Sequence, residues 1–497
     1  MQSVSSSTMP GTAPEQRFAH PHKVMLGLYL GAFLGMLSET SMNIALPNLV
    51  DAFGITTGTA QWMVVGYMLA IGVVLPCVGF LLKWVKAKTL VLFALGCFLV
   101  GSVLSAVAPV FSLVLIGRII QGIGTGIVLP TMYAAIMRVF PLHLLGAANG
   151  VAGLVIMFAP VIGPTLAGIL IGAFSWRAIF ILFAVVAVLA IALTAAFFVT
   201  PIEQTQPKVD LISIVASVIG FGGLVAGVSL VADQGFSAMV IAFLVVGVVV
   251  LAFYAYRQLT IADPLLDLKA LGISAFRTPA IMVTCSFACT LAIMYLVPQE
   301  LQRGLGLSST TAGMLMLPGG IANAIVAFVS GRLFDRYGAK VLVRIGAVVA
   351  IIGSLMFFAI GATTAAWIFI AAHVVFMIGI PMMQQSAQSA ALKGLPRELA
   401  ADGSTILNTM QQVVGAIGTA VATILLGAGQ SSYTANGGTN AAEGFVNGSR
   451  YGYIFGLALV VISLVFSFFL HEKKSITVEE VDVTEGEARI VGETVVE

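Results

Sequence analysis

The chain has 497 residues, 59% apolar and 9% charged, with a formal net charge of +2. A soluble domain carries about 25% charged residues, so a chain this poor in charge cannot cover a water-facing surface, and a bilayer is its natural solvent. The near-neutral balance offers no basic stripe to a nucleic acid and no acidic one to a basic partner.

In chain order, residues 1–22 are polar, and an apolar run then begins at Val24. That run is too long for the hydrophobic region of a signal peptide and has no small-residue cleavage site after it. A helix needs about 20 apolar residues to cross the hydrocarbon core. Fourteen such segments are expected, at about 24–47, 62–82, 88–107, 112–137, 148–171, 177–199, 210–231, 238–256, 278–299, 309–333, 340–361, 365–391, 404–427 and 450–470. The runs are continuous and too long for barrel strands, so the expectation is an all-α integral membrane protein.

With the N-terminus inside, 19 Lys and Arg side chains fall on the cytoplasmic side and three (Arg177, Arg303, Arg450) on the outside, with Arg118 left within the membrane. This asymmetry places both termini in the cytoplasm of a cell-membrane protein. The outer segment at about 428–449, rich in Gly, Asn, Ser and Thr, reads as flexible; the tail after Leu470 carries seven acids from Glu479 onward and reads as solvated. Cys77, Cys97, Cys285 and Cys289 sit in apolar runs and read as reduced packing residues. No CxxC, HExxH or phosphate-loop pattern occurs, so no metal, cofactor or direct use of ATP is expected.

The end of the second span, Gly79-Phe-Leu-Leu-Lys-Trp-Val-Lys-Ala-Lys88, repeats at the end of the tenth as Gly331-Arg-Leu-Phe-Asp-Arg-Tyr-Gly-Ala-Lys340. Two related halves with a site between them is a common plan of secondary transporters. The offset exceeds six spans, and two further helices near 210–231 and 238–256 fill the difference.

The second copy, with Gly331, Asp335, Arg336 and Gly338, resembles the loop signature of the major facilitator superfamily. Arg118-Ile-Ile-Gln121-Gly122-Ile-Gly124 resembles its fourth-helix motif, and Ala159-Pro160-Val-Ile-Gly163-Pro164-Thr-Leu-Ala-Gly168 its antiporter-associated fifth-helix motif. Leu37-Ser-Glu39-Thr-Ser-Met-Asn43-Ile-Ala-Leu-Pro47 resembles the first-helix motif of fourteen-span drug:proton antiporters, within which the chain is most similar to lincomycin-resistance-type exporters. Gln61-Trp62, Ser175-Trp176-Arg177 and Leu317-Pro318-Gly319 are similar stretches. The chain departs from the family in having Glu39 where Asp is usual, Lys83 where the first loop signature has an acid, and Lys86 where it has glycine. The resemblance implies a major facilitator fold: an N-terminal tail (1–23), a six-helix bundle (24–200), two extra central helices with linkers (201–277), a second six-helix bundle (278–470) and an acidic tail (471–497).

Among the 21 acids, Glu39 reads as the one deep in a span. An ionisable group in hydrocarbon is costly and marks function. Burial disfavours the charged form, so such a carboxyl can take a proton on one side and release it on the other. Arg118 is the one cation at depth and must have partners. At 1.5 Å rise per residue, Glu39 and Arg118 lie about 12 and 9 Å from the outer surface, so they can meet directly, through Gln121, or through a water; the alternative is a static buried pair. Pro160, Gly163 and Pro164 are expected to bend the fifth helix or simply to permit close packing. Polar cavity candidates are Asn43, Gln384, Gln385, Gln388, Asn408 and Gln412, with Met382, Met383 and Met410 nearby; interhelical hydrogen bonding is the alternative. His373 reads first as a core histidine and second as another protonatable group. Glu300 and Arg303 have the spacing of a surface pair, with an outward substrate role as the alternative.

The function these residues point to is proton-coupled antiport of small amphipathic or cationic compounds by a monomer. Alternatives are a dedicated exporter of one metabolite, lipid or peptide, a symporter, or a membrane-embedded enzyme. The last would need clustered acids, histidines or a nucleophile at one membrane face, and the sequence has no such cluster. Asp335→Asn is expected to slow cycling while sparing binding, and unchanged transport rates would remove the loop signature as a gate.

Overall fold

The computed structural model describes residues 20–141, 144–199, 210–261, 264–361 and 364–470, and everything said of structure below concerns these. Residues 1–19 of the N-terminal tail, residues 200–209 and the acidic tail 471–497 lie outside them.

Fourteen helices are long and apolar enough to cross a membrane. They are α1 (Pro21–Phe53), α2 (Thr57–Trp84), α3 (Ala87–Val107), α4 (Phe111–Val139), α5 (Leu145–Ala173), α6 (Arg177–Phe197), α7 (Leu211–Gln234), α8 (Ala238–Thr260), α9 (Ser274–Gln299), α10 (Ser309–Phe334), α11 (Arg336–Phe358), α12 (Ala366–Lys393), α13 (Ala400–Ala435) and α14 (Ala441–Ser467). The described residues contain no strand. Lipid offers no partner to a free N–H or C=O, so a chain of apolar runs closes its backbone bonds within helices. The connections carry caps: Thr56, Ser237, Ser308 and Asn440 accept from backbone N–H groups in the first turns of α2, α8, α10 and α14.

Helices α1–α6 pack on one another, and α9–α14 do likewise. The hairpin α7–α8 lies outside both sets, with α7 against α2 and α13. Arg257 of α8 grips Asp210, the α7 cap, with Nε to Oδ2 at 3.1 Å and Nη2 to Oδ1 at 2.8 Å. Large apolar side chains such as Phe93, Val107, Ile181, Val249 and Phe253 point outward, as a lipid-facing surface requires.

The sequence expectation differs most from the structure at the end of α1 and between α13 and α14. Helix α1 does not stop at Pro47 but runs six residues further, to Phe53, and ends at Gly54 with φ 62°. Proline removes only its own donor, and the glycine beyond it supplies the left-handed stop. The segment 428–449 is not an open loop: α13 continues to Ala435, α14 starts at Ala441, and Arg450 lies inside α14. Its Ser and Asn side chains serve the ends; Asn436 Nδ2 donates to Ser432 O at 2.9 Å, and Asn440 Oδ1 accepts from Ala442 N at 3.0 Å.

The internal repeat has a conformational reason for its asymmetry. Gly338 sits between α10 and α11 with φ 77°, where a side chain is strained. Its counterpart Lys86 has φ −54°, which any residue adopts. The first copy has therefore lost its glycine without backbone cost. Gly338→Ala is expected to destabilise the protein by about 1–2 kcal/mol, read as a lower thermal midpoint in detergent, while Lys86→Gly is expected to leave the midpoint nearly unchanged.

Candidate functional site

Arg118, on α4, is fully buried. Its Nε donates to Met63 O at 3.0 Å, Nη2 to Ser38 O at 2.8 Å, and Nη1 to Gln121 Oε1 at 3.0 Å and to Ser38 Oγ. The guanidinium also lies 3.7 Å from the centre of the Tyr67 ring. Tyr67 is held in turn by Gly35 O at 2.8 Å and Thr125 Oγ1 at 2.7 Å, and Gln121 Nε2 donates to Ser102 Oγ at 2.7 Å. One cation thus ties α1, α2, α3 and α4 together. A guanidinium is suited to this because its planar fork carries five donors and never loses its charge.

Glu39 follows Ser38 on α1 and is 3% exposed. Arg118 bonds Ser38, the neighbour of Glu39, so the two charged residues lie close together, although the depth estimate was counted from Pro47 and α1 runs on to Phe53. They do not form a direct pair: the carboxylate lies outside ion-pair distance, and the fork of Arg118 is committed to neutral acceptors. Gln121 is a ligand of Arg118, not a bridge to Glu39. Glu39 Oε2 has no hydrogen-bond partner. The arrangement is a buried carboxyl beside a fixed cation, not a static ion pair.

Gly163 of α5 faces α1; a Cβ there would lie 2.3 Å from Thr40 Oγ1, and Ser41 Oγ donates to Gly163 O at 3.2 Å. Across the other face of α5, Thr165 Oγ1 donates to Gly313 O at 2.9 Å and Thr310 Oγ1 to Gly168 O at 2.9 Å. The fifth-helix motif is therefore the seam between the two bundles. Pro160 and Pro164 line a cavity at this seam with Met294, Met316, Asn323 and His373. Neither ring nitrogen of His373 has a partner. A Cβ on Gly319 would lie 2.2 Å from His373 Nδ1, which explains the glycine after Leu317-Pro318. Gly319→Ala is expected to push the imidazole off the cavity wall and lower the thermal midpoint in detergent; an unchanged midpoint would mean the ring yields freely.

The amides divide. Gln384 Nε2 donates to Gln411 Oε1 at 3.3 Å, linking α12 to α13, and Asn408 Nδ2 donates back to Ser404 O at 2.9 Å. Gln411 was not among the sequence candidates. Gln412 is buried with Oε1 unpartnered, and Asn43 is buried with Oδ1 unpartnered. Gln385 and Gln388 are half-buried. None of these amides lines the cavity that holds His373.

Glu300 corrects two expectations. It is not a surface residue, and it does not pair with Arg303: it is 0% exposed, its Oε2 accepts from Tyr453 of α14, and its Oε1 has no partner. Glu39 is therefore not the one buried acid. Arg303 turns the other way, donating to Pro47 O at 2.9 Å and pairing with Asp51, both on α1. In the loop signature, Arg336 is exposed and stacks near Tyr337 at 5.2 Å. The Asp335 side chain lies outside the described residues.

Twelve helices in two six-helix bundles that meet at a seam, with the α7–α8 hairpin outside them, define a multi-pass membrane protein. The Major Facilitator Superfamily profile matches residues 28–419, and the chain belongs to that family. It is 38% identical over 459 residues to a lincomycin resistance protein of Listeria monocytogenes, covering 91% of this chain and 98% of that one. It is 40% identical over 459 residues to the lincomycin resistance protein of Bacillus subtilis, covering 91% and 96%. A multidrug resistance protein B homolog of Mycobacterium tuberculosis is 28% identical over 421 residues, covering 82% and 78%. In fold, the chain is similar to a peptide-bound transporter of the POT family, with TM-score 0.68, 15% identity and 89% and 95% of the two chains covered. It is also similar to the xylose transporter of Escherichia coli, with TM-score 0.62, 15% identity and 93% and 100% covered.

Proposed function

We infer that the chain is a proton-coupled antiporter that exports amphipathic or cationic drug-like compounds across the cytoplasmic membrane by alternating access. The observation that carries this reading is Glu39: a carboxyl 3% exposed, with an unpartnered oxygen, beside a cation committed elsewhere. A group so placed exchanges a proton without first breaking an ion pair. Resistance proteins among the relatives favour drug export as the direction and substrate class. The reading is of a monomeric carrier with no enzymatic step, with Asp335 and its neighbours as a gate and both termini in the cytoplasm.

Bundle contacts gather at the end of the molecule where α1 finishes: Gln302 Nε2 donates to Ile44 O at 3.1 Å and Ser309 Oγ to Asn48 Oδ1 at 3.0 Å, beside the Arg303 contacts. With the termini inside, this is a carrier closed on its outer face.

The test uses purified protein in liposomes with an imposed pH gradient, following lumenal pH as ethidium or lincomycin is added. Proton movement on adding substrate is expected. Its absence with every such compound would overturn drug:proton antiport and favour a dedicated exporter of another metabolite, lipid or peptide.

A further inference from the structure

Glu300 lies at the start of a π-helical turn, Glu300–Gly304, that closes α9. Such a turn inserts one extra residue and re-aims the side chains after it, often at functional sites. Here the turn divides its side chains between two neighbours. Glu300 points into the C-terminal bundle, onto Tyr453 of α14. Gln302 and Arg303 point at α1, onto Ile44 O, Pro47 O and Asp51. Five residues therefore join a buried carboxyl to the contact that shuts the two bundles at one end.

Charged and titratable groups near that carboxyl are few. Helix α14 presents Tyr453, Ser449 and Arg450; Arg450 Nη2 donates to Ile360 O at 3.1 Å, and its Nε has no partner. The turn itself carries Arg303, which faces away. The α10 segment that follows, from Ser309 to Leu317, has no charged residue. Glu300 is 0% exposed and Oε1 accepts from nothing. A carboxylate with a single hydrogen-bond donor is poorly matched to this closed arrangement, whereas a neutral carboxyl needs less compensation. Parting the bundles at this end would let water reach Oε1.

We propose that Glu300 is a second proton-binding residue whose protonation holds the outer contact between α1 and the α9–α10 turn closed. This rests on the proton-coupled reading above and adds a second site to it. In the open state the carboxylate takes a proton from outside water onto an oxygen. The neutral side chain is then buried as the turn sets Gln302 and Arg303 on α1. The proton returns to water when this end parts again. Glu39 and Glu300 thus lie in different bundles, one near the fourth-helix cation and one behind the latch.

The test measures the latch without substrate or gradient. Spin labels at Ser175→Cys and Thr439→Cys, both exposed at the closed end of opposite bundles, report separation by double electron–electron resonance. Cys77, Cys97, Cys285 and Cys289 are replaced first, and Glu39→Gln is the background so that Glu39 cannot respond. The separated population is expected to rise at least about threefold from acidic to alkaline buffer. Glu300→Gln is expected to hold the closed population at every pH. Arg303→Ala is expected to raise the separated population at every pH, which keeps the idea testable should Glu300→Gln fold poorly. A pH response that survives Glu300→Gln, the absence of any response in the background protein, or no shift in Arg303→Ala would each overturn the proposal. Failure here leaves substrate-driven proton movement to be judged by itself, and loss of that movement with the latch response intact would overturn the transport reading alone.

Discussion

Glu39→Gln is expected to reduce pH-driven efflux to the leak of empty liposomes while leaving the fold intact. The amide has almost the volume of the carboxyl and carries no charge, so it occupies the same pocket on α1. Because Glu39 Oε2 has no partner, the substitution breaks no mapped hydrogen bond at that atom. Arg118 keeps its bonds to Met63 O, Ser38 O and Gln121, so the helix ties survive. The thermal midpoint in detergent should move by no more than about 2 °C. What is removed is the ability to carry a proton. Substrate exchange down its own gradient should persist if the amide mimics the protonated carboxyl, because the bundles can still rock around an occupied cavity. A variant that still pumps against a substrate gradient under an imposed pH difference would remove Glu39 from coupling. A variant that loses efflux and unfolds together would show that the carboxyl has a structural partner instead.

The sequence is most legible where one residue type has one explanation. Arg118 in an apolar run has to be partnered, and the rise per residue brings it near Glu39 in outline, although that count starts at Pro47 and α1 runs on to Phe53. Level does not fix direction around the axis, so the partners themselves were not legible. Ser38 and Met63 contribute backbone carbonyls, and a carbonyl carries no sequence signature. The sequence places Glu300 at the surface for a related reason. It follows an apolar run and Gln299, and precedes Arg303 by three residues, the pattern of a wet helix end. The π turn rotates it inward and sends Arg303 to α1, and a one-residue insertion of that kind leaves no compositional trace. Segment 428–449 departs in the opposite sense: Gly, Ser and Asn are loop formers in water, yet at the ends of membrane helices they act as caps and as sites of close approach. The asymmetry of the repeat was visible as letters, Gly338 against Lys86, but its cause is the backbone angle, which only the fold supplies.

Arg118→Lys is expected to cost both stability and transport, the second more than the first. Lysine keeps the positive charge near Glu39 but offers a compact ammonium in place of a planar fork. It cannot reach Met63 O, Ser38 O and Gln121 Oε1 in the geometry that Arg118 spans, and it cannot lie flat on the Tyr67 ring. At least two buried acceptors then lose their donor. In membranes such bonds average about 0.6 kcal/mol each, whereas a fully orphaned buried acceptor costs about 1–3 kcal/mol. The loss should therefore fall between about 1 and 6 kcal/mol, visible as a drop of several degrees in the thermal midpoint. Transport should fall at least about tenfold, because α1, α2 and α4 would no longer be held in one register around the carboxyl, and a tenfold change needs only about 1.4 kcal/mol. The informative comparison is with Arg118→Lys carrying Glu39→Gln. If the cation acts only by its field on the carboxyl, removing the carboxyl's charge makes the lysine harmless to substrate exchange. If the fork acts by fixing helix positions, exchange stays slow in the double variant, and the network around Arg118 is the axis on which the N-terminal bundle is built.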